Sequence, residues 1–195
     1  MIVAAALCPA PPLLVRELTG ARQVAADLRY ACLAAVTELV AADPDVVAVV
    51  GAAERTGAWS DGAAFDLARY APGLALLAGQ ESQRGGEPSQ PPRAGEACMP
   101  SSLGVGAWLL DHAGGAARRI LRAVGADEPA SRCAGIGAEL AGASGRVALL
   151  VMADGSARRG LRAPGYLDER SARFDAEVES AVRAGRLDAL LDVDP

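Results

Sequence analysis

The sequence predicts an α/β domain, with a mainly parallel or mixed central sheet flanked by helices. Three continuous apolar runs carry this: IVAAAL at 2–7, VVAVV at 46–50 and VALLVM at 147–152, each leading into residues that break regular structure. Uninterrupted apolar runs of this length fit strands buried on both faces, as parallel sheets require. Between them lie stretches with apolar residues three and four apart, the spacing of a helix face.

The first strand, Ile2 to Leu7, ends where Pro9 removes a ladder donor and fixes the turn. It is not expected to be an export signal: Met1 is followed by only six apolar residues before Cys8, and no basic leader precedes them. Leu7 is also bulky where a lipoprotein cleavage site needs a small residue. A long helix is expected over Gly20 to Ala42, burying a stripe of Val24, Leu28, Ala31, Ala35 and Leu39, and Asp43-Pro44 ends it. The second strand, Val46 to Val50, runs into a glycine-containing loop. Residues 63–78 suggest a short helix and then a strand near Leu74 to Leu77. The stretch 79–96, rich in Gly, Pro, Ser and Gln, is a long loop, a lid or a disordered segment.

Ser101 or Ser102 is placed to cap a helix through Ala113, ended by Gly114-Gly115. Arg118 to Val124 reads as strand or helix, and Pro129 to Leu140 as helix. RVALLVMADGS holds the clearest strand, followed by a polar loop to Gly165, a helix from Ser171 to Ala184 and a short one ending near Asp192. Ligands in such sheets sit beyond the carboxyl ends of the strands, so the loops of interest are 8–15, 51–62 and 153–165.

At 195 residues and 19.8 kDa the chain amounts to one domain, or one with a small appendage. Its four cysteines, Cys8, Cys32, Cys98 and Cys133, show no paired metal or redox spacing, and reduced thiols in a cytoplasm are expected. All 19 basic residues are arginine and asparagine is absent, a pattern of GC-rich coding rather than of partner choice. A net charge of −5 argues against a nucleic-acid binder, and no apolar run approaches the ~20 residues of a membrane span.

Taken together, CPAPPLLV after the first strand, VAVVGAA in the second, and LLVMADGSARR followed by FDAEV resemble the class III extradiol ring-cleavage dioxygenase B-like family, in order over nearly the whole chain. The resemblance implies that family's fold. In active members two histidines and a carboxylate hold ferrous iron, and a further histidine serves as acid/base in opening a catechol ring. Carried over position by position, the first metal histidine falls on Ala10 and the second on Ala52 or Ala53, with Glu54 the nearest possible ligand. The acid/base falls on Ala157, after Ser156, while Asp154 is retained; the metal glutamate belongs beyond Pro195.

A site with two histidine ligands needs two histidines, and this chain has one, His112, at the end of an expected helix where an ordinary hydrogen bond or end-of-helix charge accounts for it. The expectation is therefore a dioxygenase-like protein with a degenerate iron site, without iron or another cofactor, acting as a non-catalytic ligand- or partner-binding protein. The alternative is an enzyme of relocated chemistry, an oxidoreductase or hydrolase using Asp154, Glu54 and Cys8. The expected pocket comprises Cys8, Ala10, Glu54, Asp154, Ser156, Ala157, Arg158, Arg159 and Tyr166. Arg158 and Arg159, with Arg162, could clamp a carboxylate or phosphate, against the simpler reading of a solvated loop in an arginine-biased protein. Arg118, Arg119 and Arg122 form a second cluster with the same simpler reading. A small anionic or aromatic ligand and a homo-oligomer are the expected partners, and Trp59 and Trp108 are core or interface anchors. GVGAWL at Gly104 does not follow a strand and is no dinucleotide motif; Ser156 lacks a nucleophile elbow.

Overall fold

The computed structural model describes residues 1–19, 22–65, 67, 70–71, 76–77, 98–114 and 118–193. The segment 79–96 lies outside them, as does much of 63–78. The chain divides into two compact units, Met1–Ala153 and Asp154–Pro195.

In the first unit the strands are β1 (Ile2–Cys8), β2 (Val46–Ala53), β3 (Gly57–Trp59), β4 (Ala64–Phe65), β5 (Leu76–Leu77), β6 (Arg118–Gly125) and β7 (Val147–Met152). The helices are α1 (Arg16–Thr19), α2 (Ala26–Ala41), α3 (Ser101–His112) and α4 (Ala130–Ala141). The main sheet has the order β1-β7-β2-β6-β3, with the first four strands parallel and β3 antiparallel at one edge, while β4 and β5 pair separately. The α/β class and its mixed, helix-flanked sheet are thus as the sequence predicts. Cys8 and Gly51 both pair with Met152, so β1, β7 and β2 finish at one edge.

Strand alternation sorts β2 between two cores: Val47 and Val49 join the larger cluster with Leu39 of α2 and Leu103 and Leu109 of α3, while Ala48 meets Ile136 and Leu140 of α4 in a smaller one. Residues i and i+2 share a face, so a fully apolar strand serves both layers. α3 approaches the sheet closely because it carries glycines where side chains would collide. A Cβ on Gly106 would lie 2.6 Å from Val49 Cγ1, and one on Gly104 would enter the Phe65 ring. This is the role of the glycines in GVGAWL.

Several elements differ from expectation. α2 starts at Ala26, because Ala25 takes a left-handed conformation (φ 55°) and the helix cannot extend back through it to residue 20. Its buried residues are Cys32, Val36 and Leu39, whereas Val24 and Leu28 are 42% and 41% exposed. Alanine around the whole circumference leaves the apolar stripe without a distinct phase. Neither Ser101 nor Ser102 caps α3; Pro100 takes the cap position and the Ser102 hydroxyl donates to the Ala52 carbonyl at 2.7 Å. β3 occupies part of the expected loop 51–62, while Arg118 to Val124, read as strand or helix, forms the strand β6 and carries Arg118, Arg119 and Arg122.

At the opposite edge of the sheet the amino-terminal ammonium donates to the Gly145 carbonyl at 3.0 Å. Asp45 accepts from the Ser144 hydroxyl and the Arg146 amide, which holds its carboxyl below the ordinary range. In the second unit, α5 (Ser171–Arg183) is followed by a short 3₁₀ turn at Leu187–Asp192. Among the described residues no helix is long and apolar enough to cross a membrane.

Candidate functional site

Four parallel strands ending on one edge direct attention to the segment after each of them. β1 delivers Cys8 into the core beside Cys32 of α2, with 1% and 3% of their surfaces exposed. The neighbouring Cys32 thiol, through a hydrogen bond, and then burial push the Cys8 thiol up, away from the thiolate. Ala10, two residues on, is also closed into the core at 7% exposure. This end of β1 is packed shut.

The end of β2 is open. After Ala53 the chain bends through Glu54 and Arg55 and returns as β3, with the Thr56 hydroxyl accepting the Gly125 amide at 2.9 Å. α3 begins at the same edge, its first turn tied to β2 by the Ser102 bond to Ala52. Between bend, edge strand and helix start lies a cleft of about 330 Å³ lined by Ala52, Ala53, Glu54, Arg55, Trp59, Phe65, Tyr70, Cys98, Met99, Pro100 and Ser101. Phe65 and Met99 are buried at 2% and 4% exposure, forming fixed apolar wall, while Glu54, Arg55, Tyr70 and Cys98 are exposed. The volume sits at the low end of the ~300–1,000 Å³ typical of small-molecule pockets.

Of the residues expected in a pocket, only Glu54 lines this cleft. Those in the second unit form a network of their own. Arg158 Nε donates to the Gly165 carbonyl at 2.8 Å and its guanidinium lies 3.7 Å from Asp168; Arg159 lies 3.4 Å from Asp175. Asp175 also accepts the Ser156 amide at 2.8 Å, and its carboxylate packs against Gly155. The two arginines thus have carboxylate partners within their own unit, so an external anion would compete with those. Hydrogen bonds from the Arg170 side chain and amide, with the nearby Arg158 charge, bring Asp168 down to about 2. Tyr166 is 78% exposed in a left-handed conformation, and Asp154 and Ala157 are exposed loop residues.

His112 is accounted for within α3: Nδ1 lies 2.8 Å from the Trp108 carbonyl and the ring stacks on Trp108 at 3.9 Å. Trp108 is a core residue, and its indole N–H donates to Glu17. Among the described residues no three His, Cys, Asp or Glu side chains converge as a metal site. Neither a protein-family model nor a curated protein matches the chain.

The cleft residues not anticipated are Arg55, Phe65, Tyr70, Cys98, Met99 and Ser101. One signal bore on Cys98 and Met99. A crossover helix runs antiparallel to its strands, so the residues just before Ser101 must lie at the same edge as the strand ends.

Proposed function

We propose that this chain is a non-catalytic ligand-binding protein on a scaffold of the class III extradiol dioxygenase B-like type, and that it holds a small aromatic molecule in the cleft at the end of β2. The cleft itself carries the reading: among the described residues it has an aromatic and apolar wall and two exposed charged side chains, and its size suits a compact ligand. The scaffold assignment draws support from three strands, β1, β7 and β2, ending together at one edge of the sheet.

The residues do not fit the iron of active members. Ala10 lies in closed core, Ala52 and Ala53 offer no donor side chain, and the single histidine is bonded and stacked within α3. Relocated chemistry at Cys8 is disfavoured because the Cys32 hydrogen bond and burial keep the thiol protonated, and burial keeps it out of reach.

Trp59 lines the cleft and is one of only two tryptophans in the chain, so its fluorescence reports occupancy. Titration with phenols, catechols and benzoates is expected to give a saturable change that Trp59→Leu removes while leaving the fold, read by circular dichroism, intact. No saturable response to any of these would overturn the reading. Stoichiometric iron or zinc in the purified protein would overturn its non-catalytic part.

A further inference from the structure

The two exposed charged residues that line the cleft are neighbours of opposite sign, Glu54 and Arg55. Neither side chain makes a hydrogen bond or ion pair among the described residues, with each other or with any third group. Four arginines of this unit are placed differently. Arg29 bonds the Leu14 carbonyl, Arg119 pairs with Asp111, Arg122 with Glu139, and Arg146 bonds the Asp43 carbonyl. A carboxylate and a guanidinium that share a cavity with no counter-charge bonded to them among the described residues, over a wall that includes Phe65 and Trp59, present one acceptor and one forked donor to the same ligand.

We propose that the cleft selects a zwitterion: a small aromatic molecule carrying both an ammonium and a carboxylate group, of the α-amino acid type. Arg55 receives the carboxylate in a two-pronged hydrogen bond, Glu54 receives the ammonium, and the ring lies on the aromatic wall. A ligand with only one of these charges leaves the other side chain facing its own sign or an apolar surface. The match is therefore stronger than either half alone. This inference rests on the cleft being the binding site, and it names the chemistry of the occupant.

The test uses the full chain and three ligands with one ring: phenylalanine, 2-phenylethylamine, which lacks the carboxylate, and 3-phenylpropanoate, which lacks the ammonium. Calorimetry and Trp59 fluorescence should show phenylalanine binding about tenfold more tightly than either, the scale of one charge-assisted hydrogen bond in a half-open site. Arg55→Gln should remove the advantage over 2-phenylethylamine, weakening phenylalanine while the amine, freed of a like charge, binds no more weakly than before. Glu54→Gln should remove the advantage over 3-phenylpropanoate in the same way. If a singly charged analogue matches phenylalanine while still perturbing Trp59, the zwitterion inference fails and the cleft reading stands. If all three and the neutral aromatics are silent, both fail.

Discussion

Arg119 carries its charge into the protein, with 8% of its side chain exposed, and Asp111 meets one of its nitrogens at 2.6 Å. Its other terminal nitrogen, Nη1, makes no hydrogen bond and lies 3.8 Å from Asp61. Asp111 is thus the near counter-ion of a largely desolvated guanidinium. Removing it leaves the guanidinium with the more distant, exposed Asp61 carboxylate, at a cost of up to about 3–5 kcal/mol, the range for breaking a buried pair. Asp111→Ala should therefore unfold at much lower urea concentration, and the double variant Asp111→Leu with Arg119→Met should recover most of the loss. A double variant as unstable as the single one would show that the ion pair is not the cause. The cysteines divide by the same criterion of burial. Cys8 and Cys32 are buried and Cys98 and Cys133 exposed, so a thiol-specific disulfide reagent should modify two groups rapidly in native protein and the other two only after denaturation. Rapid modification of Cys8 would contradict its burial.

Glycine has opposite meanings in two helices of this fold. Gly106 of α3 faces β2, where a methyl group would press on Val49 Cγ1 at 2.6 Å and Met152 Cγ at 3.0 Å, while Gly137 of α4 has nothing within 4 Å of the same added atom. Gly106→Ala should cost about 1–3 kcal/mol through overpacking. Gly137→Ala should add up to about 1 kcal/mol by helix propensity. Thermal denaturation distinguishes the two signs, and equal effects would mean that α3 does not approach the sheet as closely as its glycines allow. These positions also mark what the sequence could reveal. β1, β2 and β7 were legible because each is a continuous apolar run, and Pro9, Pro44 and Gly114 punctuate where expected. The buried phase of α2 was not, since alanine fits either face and the left-handed Ala25 has no signature. β3 is a three-residue strand whose pairing with β6 depends on a partner distant in sequence. In the site, Glu54 was legible as the residue after a strand, whereas Phe65, Tyr70 and Met99 reach the cleft through tertiary packing that no local pattern encodes.

Across the whole molecule the acid limb of stability should be set by carboxylates engaged in each of the two units. Asp45, bonded to Ser144 and Arg146 at the amino edge of the sheet, and Asp168, bonded to Arg170 and near Arg158 in the second unit, both titrate below their ordinary values, Asp168 at about 2. An unfolded aspartate titrates near ~3.9. Between those values the unfolded chain binds a proton that the folded chain does not, so each group's stabilisation is fully present above pH ~4 and is lost as pH falls toward the folded value. Asp45 is exposed and Asp168 half-buried at the surface, and both act through hydrogen bonds and screened charge, so the dependence should be shallow and should weaken with salt. Far-UV circular dichroism in urea at a series of pH values should show the midpoint constant from neutrality to about pH 4 and falling below it. Asp168→Asn removes the carboxylate, so it should lower the midpoint at neutral pH and flatten the fall below pH 4, the two curves converging in acid. If the variant loses as much between pH 4 and 2 as the parent, Asp168 does not gain its hydrogen bonds on folding, and the polar network around Arg158 and Arg170 would lose its anchor in the second unit.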